Sequence, residues 1–410
     1  MAGPGLELVG AEEEQLVLEA LRSRQLSRYR FDDENAPPSM VFRFERELES
    51  YLAVKHCLGT NSCTSALFCA LTALGVGPGD EVLVPGYTFI ATMAAVAHAR
   101  AVPVLCEIDD SLTLDPEHVR AQITPRTRGI IAVHMLGAPC DMAALRAIAD
   151  EHGLFLIEDV AQACGGSYRG KRLGSWGDAG AFSLNVFKTI TAGDGGVLAL
   201  RDTAAYERAF ALHDHGSRPL RLGVAEGDAI LGLNLRMHEL TGAVALAQLR
   251  KLDGICSLMH ANKALLLEAV GELPHARRRR LNDAKGECAT LAVWLFDTPQ
   301  RAQQVATALG SRRLIESGKH YYGNMPQLLR RAMPHGGSCP FSCSSYPTSV
   351  RYSLGQLPRT DDLLARAVAI SVGVSDSYLG SSFGVRITST PDEITTTASE
   401  LRRRVEGILQ

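Results

Sequence analysis

Residues 157–197, IEDVAQACGGSYRGKRLGSWGDAGAFSLNVFKTITAGDGGV, hold the side chains whose types and spacing bear on chemistry. Glu158 and Asp159 end an apolar run that reads as a strand. Side chains alternate along a strand, so one carboxylate is expected to point into the crevice above the sheet and the other away from it. Lys188 follows the strand-like Ala179–Ser183 and precedes a glycine-rich turn at 192–196. A lysine at a buried strand end is costly unless it is paired, neutralised or covalently modified. The chain has only seven lysines, at 55, 171, 188, 251, 263, 285 and 319, which sharpens the question of what this one does. An acid at one strand end and a lysine after a later strand suit pyridoxal phosphate, with the lysine attached as an imine and the acid keeping the ring nitrogen protonated.

The elements that must position these groups follow from periodicity. Between about residues 45 and 200 helical patterns (44–52, 64–74, 92–98, 141–152) alternate with short apolar strands (81–84, 102–108, 129–133, 154–157), and 178–183 leads into 195–200. Strands separated by helices, without tight hairpin signals, predict βαβ crossovers and a mostly parallel sheet whose carboxyl ends gather function. Beyond residue 252 the character changes. A helix over 240–270 leads into a Gly/Pro/Ser-punctuated region, a strand is expected over 383–387, and Ser389-Thr390-Pro391-Asp392-Glu393 opens a final helix over 391–409. The expected organisation is an N-terminal arm (1–30), a large α/β domain (31–252) and a smaller C-terminal α+β domain (253–410).

Other functions lose ground on charge and motif. With 42 basic and 45 acidic residues in 410, the net charge of −3 argues against a nucleic-acid binder. No apolar run is long enough to span a bilayer, and the acidic start MAGPGLELVGAEEEQ lacks the basic and apolar regions of a signal peptide, so a cytoplasmic protein with reduced cysteines is expected. Residues 165–172 approach a phosphate-binding P-loop, but Arg172 stands where a magnesium-ligating hydroxyl is needed. Gly75, Gly77 and Gly79 follow a helix and miss the dinucleotide spacing. His213 and His215 have no third ligand nearby, Cys339 and Cys343 no second pair, and no metal is expected. Arg277 to Arg280 reads as a solvated loop.

Taken in order, GAEEEQLVLEALRS, VPGYTFIATMAAV, GAPCDMAAL, IEDVAQACGGSYRGKRLGSWGDAGAFS and NLRMHELTGAVALAQLRKLD resemble the DegT/StrS sugar aminotransferases. The resemblance implies the three-layer fold-type I architecture of pyridoxal phosphate enzymes. It implies that Lys188, in the pattern of Ser183, Lys188, Thr191, Gly193, Asp194, Gly195 and Gly196, holds the cofactor, that Asp159 partners the pyridine nitrogen, and that Gln162 contacts the ring near its 3-hydroxyl. Phe89 resembles the stacking aromatic, with Tyr87 a competing candidate. The phosphate is expected on Ser62, Cys63 and Thr64 with the hydroxyl of Ser183, although Cys63 stands where the family commonly has glycine. Asn234 resembles the residue that reaches a neighbouring subunit's phosphate, which implies a homodimer with shared sites. His320, Tyr321 and Tyr322 are candidates for the sugar pocket, in a region only loosely like the family. The implied reaction moves an amino group from glutamate or glutamine to a keto sugar or cyclitol carbonyl in aminosugar or antibiotic biosynthesis. A sugar dehydratase and a non-catalytic cofactor-binding regulator are the alternatives. Dehydratases of the family typically replace the lysine by histidine, and Lys188 is retained.

Overall fold

The computed structural model describes residues 3–29, 39–219, 223, 229–334, 336, 339–346 and 350–409. Seven strands form the central sheet: β1 (His56–Thr60), β2 (Glu81–Pro85), β3 (Val102–Cys106), β4 (Thr127–Val133), β5 (Phe155–Asp159), then, after the short hairpin β6 (Ser167–Tyr168) and β7 (Lys171–Arg172), β8 (Ala179–Ser183) and β9 (Gly196–Leu200). Their order is β1-β9-β8-β5-β4-β2-β3. The sheet is mostly parallel, as expected. Only β9 runs against its neighbours β1 and β8. The link from β8 to β9 holds no helix to serve as a crossover, so the chain doubles back over the strand ends and carries Lys188 there.

Successive residues of each strand enter opposite cores. Ile131, Ile157, Ala181 and Leu198 pack on one face with the helices Cys63–Ala73, Ile90–His98 and Thr203–His213. Ile130, Leu156, Phe182 and Val197 pack on the other with Met40–Leu52, Met142–His152 and Glu239–Val270. This two-sided burial explains why the strands read as continuous apolar runs, and each fully buried Leu or Ile contributes about 1.5–3 kcal/mol. The parity also sorts the two acids: Asp159 falls on the face of Ile157, Glu158 on that of Leu156.

The antiparallel sheet of β10 (Ala276–Arg278), β11 (Leu291–Phe296) and β12 (Ala367–Ser371) packs with Pro391–Leu409 around Trp294, Ile370 and Leu401. The helix Glu239–Val270 is continuous through residues 252 and 253, where the domain boundary was expected. Two expectations are corrected. Residues 383–387 form only a single bridge, Gly384 to Ser371, because Ser371 already ends a strand paired to β11. Arg277 to Arg280 is not a solvated loop: it begins in β10, and Arg279 is buried, donating to the carbonyls of Met135 (3.3 Å) and Leu136 (2.8 Å). Among the described residues no helix is long and apolar enough to cross a membrane.

Candidate active site

At the carboxyl ends of β5 and β8 lies a cavity of about 490 Å³. Lys188, Asp159, Gln162, Ser183, Phe89 and the helix start at Ser62, Cys63 and Thr64 all line it. Asp159 Oδ2 accepts from the Thr92 hydroxyl (2.8 Å) and Oδ1 from the Ala161 N–H (3.1 Å), which aims the carboxylate into the cavity. Burial raises its pKa above the ordinary 3.8, against the pull of those two hydrogen bonds. Glu158 faces the opposite way and is fully committed: it accepts from the N–H groups of Gly174, Trp176 and Gly177 at 2.7–2.8 Å and from His134 Nε2 at 3.1 Å. Of the two acids at this strand end, only Asp159 is available to a ligand.

Burial lowers the Lys188 amine below its usual 10.5, while the nearby acids Asp159 and Asp376 pull it upward. Its loop is held from behind. The Gly3 N–H donates to the Val186 carbonyl (2.9 Å), and Gln248, wholly buried in the Glu239–Val270 helix, accepts from the Thr191 N–H (3.3 Å) while donating to Glu13 (2.7 Å). The N-terminal segment and the long helix thus clamp the lysine loop.

The helix Cys63–Ala73 starts at the cavity wall. Ser62 caps it by accepting from the Ser65 N–H (3.1 Å), which leaves the earlier amides for an anion. Gly196 lies against this start so closely that a Cβ there would sit 2.3 Å from the Ser62 carbonyl carbon and 2.4 Å from the Cys63 nitrogen. Burial pushes the Cys63 thiol well above its usual range, so it stays neutral. Gln162 accepts from the Leu136 N–H (2.9 Å).

Of the two aromatic candidates, Phe89 lines the cavity whereas Tyr87 is fully buried beneath it. Phe89 lies 5.1 Å, centroid to centroid, from His320, which also lines the cavity. His320 Nδ1 donates to the Ser317 carbonyl (3.0 Å), and burial lowers its pKa to about 4, so the ring is neutral with Nε2 free to accept. Tyr321 and Tyr322 do not line the pocket. Their rings are buried in the core and both hydroxyls donate to Asp361, at 2.8 and 3.1 Å. They act instead through the main chain: the Tyr322 N–H donates to the Gly86 carbonyl and the Thr88 N–H to that of His320, which joins the His320 turn to the Phe89 segment. Asn234 is exposed and lies outside the cavity of this chain, beside the exposed Leu231 and Leu233.

Sequence reasoning missed Thr92, Lys319 and Asp376. Thr92 lies within VPGYTFIATMAAV, where the aromatic residues drew the attention, and a threonine on a helix gives no sign of which acid it will meet. Lys319 and Asp376 line the cavity from two turns of the C-terminal region, and Asp376 sits in AISVGVSDSYLG, which departs from the family pattern.

Fold and cavity together define an α/β protein with a lysine and an aspartate facing one another above a mostly parallel sheet. The chain belongs to the DegT/DnrJ/EryC1/StrS aminotransferase family, whose model matches residues 8–372. It is 47% identical over 212 residues to the erythromycin biosynthesis sensory transduction protein EryC1 of Saccharopolyspora erythraea, covering 51% of this chain and 57% of that one. It is 40% identical over 238 residues to the L-glutamine:2-deoxy-scyllo-inosose aminotransferase of Streptoalloteichus tenebrarius, covering 56% of each. These matches span little more than half the length of the curated relatives. The Streptomyces venezuelae protein DesV, solved in complex with a ketimine intermediate, superposes with a TM-score of 0.76 at 28% identity over 99% of both chains.

Proposed function

We propose that this protein is a pyridoxal phosphate-dependent aminotransferase that takes the amino group of glutamate or glutamine and delivers it to the carbonyl of a sugar-like acceptor, working as a homodimer. The observation that carries the reading is the convergence of Lys188, Asp159 and the open helix start on one cavity. The residues fit the cofactor. Gly196 leaves a cradle at the Cys63–Ala73 helix start that a single Cβ would fill, and an anion meets unpaired amides there. When bound, the cofactor supplies a carbonyl for imine formation and a ring that withdraws electrons from the substrate's α-carbon.

This chain's residues supply the rest. Asp159, held in place by Thr92 and Ala161, would keep a proton on the ring nitrogen. The amides of Cys63 and Thr64 and the Ser183 hydroxyl would hold the phosphate. Phe89 would pack against the ring and Gln162 would contact it near its 3-hydroxyl. The Lys188 amine would hold the cofactor and, when free and neutral, would serve as the base that takes the proton from the substrate α-carbon. A lowered amine pKa suits both duties, since attack and proton abstraction need the neutral form. The exposed Asn234 and its apolar neighbours support a subunit contact that brings this side chain to a second chain's phosphate.

The decisive experiment follows each half-reaction by the cofactor's spectrum. Glutamate or glutamine should convert the cofactor to its pyridoxamine form, and a polyhydroxylated ketone should restore it. Release of water and ammonia without amino transfer would favour the dehydratase. Cofactor binding with no turnover of any donor would favour a regulatory role, to which the similarity to the sensory transduction protein EryC1 lends specific support.

A further inference from the structure

Two turns of the C-terminal region hang over the cavity opposite the strand ends: Gly318–His320 and Ser377–Leu379. They are locked together. Gly318 has φ +57°, and a Cβ there would lie 2.9 Å from Cδ1 of Tyr378, so the ring rests on the bare glycine. Asp376 opens the second turn. Its Oδ1 accepts from the Tyr378 N–H (2.8 Å), its own N–H donates to the Ser381 hydroxyl (3.1 Å), and its carbonyl accepts from the N–H groups of Leu379 and Ser381. The residue is 8% exposed, and it lines the same cavity as Lys188. Its second carboxylate oxygen has no hydrogen-bond donor among the described residues, and Val374 and Leu379 flank it on the cavity wall. An acceptor that faces a cavity from a largely buried residue can take donors from a ligand, and the low local dielectric strengthens both its attraction for O–H groups and its repulsion of anions.

We propose that Asp376 selects the acceptor: its carboxylate receives the hydroxyls of an uncharged polyol ketone and turns away acceptors that bear a carboxylate or phosphate close to the reacting carbonyl. This rests on the transaminase reading above. The cations of the cavity agree with it; its other acids are Asp159, given above to the ring nitrogen, and the exposed Asp194, which accepts from Asn185 on the lysine loop (3.1 Å). No arginine is among the described residues that line it, although the guanidinium fork is the usual partner of carboxylate and phosphate. Besides Lys188, the one lysine or arginine among the described residues on the wall is Lys319, exposed on the neighbouring turn. The donor's carboxylate meets Lys319 and the acceptor's hydroxyls meet Asp376, so adjacent turns of opposite charge let one cavity accept an amino acid in one half-reaction and a neutral polyol in the next.

The test uses the full chain loaded with pyridoxamine phosphate. The wild type should turn over 2-deoxy-scyllo-inosose with kcat/KM at least roughly tenfold above that of 2-ketogluconate, a keto sugar acid whose carboxylate adjoins the carbonyl, and Asp376→Asn should bring the ratio to within about threefold of unity, the loss of one charge-assisted hydrogen bond and of the repulsion. Asparagine keeps a carbonyl oxygen for the Tyr378 N–H; should it not fold, Asp376→Ser, whose hydroxyl also caps the turn, is measured in the same way. Calorimetric binding of unreactive myo-inositol should weaken at least roughly fivefold in either variant. A ratio that stays put in the variant, a wild-type preference for 2-ketogluconate, or unchanged myo-inositol affinity would overturn the proposal. If no donor converts the cofactor, the transaminase reading fails, and the calorimetry still decides the role of Asp376.

Discussion

Replacing Asp159 by asparagine should push activity and folding in opposite directions. In the variant the amide oxygen must face the Ala161 N–H, which can only donate, so the amide NH₂ faces Thr92. The Thr92 hydroxyl turns to accept from it and donates to Thr88 Oγ1, 2.7 Å away, so no buried group is left unsatisfied and the fold survives. What disappears is the negative charge. An opposite charge in contact shifts a pKa by about 1–3 units, so the ring nitrogen loses about 1.4–4 kcal/mol of preference for its proton, and the donor half-reaction should slow roughly tenfold to a thousandfold while cofactor still binds. Without cofactor the sign reverses. Burial holds the folded-state pKa of Asp159 above its ordinary value of 3.8, so the unfolded chain binds fewer protons there, and this residue costs the apo-protein stability as pH rises from about 4 through the folded-state pKa. Asparagine has no such cost. Thermal unfolding of both apo-proteins between about pH 4 and 7 should therefore show the variant gaining on the wild type as pH rises. Near-normal single-turnover rates in Asp159→Asn would refute the assignment of the ring-nitrogen partner. A stability difference independent of pH would refute the burial argument.

Three further outcomes are expected. Lys188→Ala should abolish the covalent, borohydride-fixed attachment of pyridoxal phosphate, detected by mass spectrometry, and in the wild-type apo-protein the rate of attachment should climb with pH about a midpoint below 10.5, because only the neutral amine attacks. Gly196→Ala drives a methyl into the Ser62–Cys63 peptide and should cost about 1–3 kcal/mol of cofactor binding, a rise of roughly fivefold to a hundredfold in Kd by fluorescence titration, whereas an unchanged Kd would remove the phosphate from that helix start. Lys188→Ala and Asn234→Asp, each inactive alone, should regain partial activity when mixed and refolded; no recovery, together with sedimentation as a monomer, would dismiss the shared site.

The layered sheet was legible in the sequence because its strands are buried on both faces and its helices on one, and these leave different periods. The reversal of β9 was not, since a strand's residues look the same in either direction and only the short helix-free link betrays it. Lys188 and Asp159 stood out for a chemical reason: charged groups at strand ends need partners. Tyr321 and Tyr322 misled because an aromatic with a hydroxyl reads alike whether it meets a sugar or, as here, Asp361. Asp376 was invisible because its meaning lies in which turn it opens and what faces it, and both are set by contacts between distant segments. Arg279 hid in a run of four arginines for the same reason.

The clamp behind the lysine loop bears on when the site comes into being. Its parts come from the start of the chain, from the stretch around Val186 to Thr191, and from Gln248 in the long helix. On a ribosome the first part emerges early and waits for the last, and contacts of such long sequence separation form slowly because their loops must close before they stabilise anything. A chain that has already folded its sheet and exposed Lys188 still lacks the rigid backing of that loop until the Glu239–Val270 helix docks. The rigid backing of the Lys188 loop is thereby tied to the completion of tertiary structure.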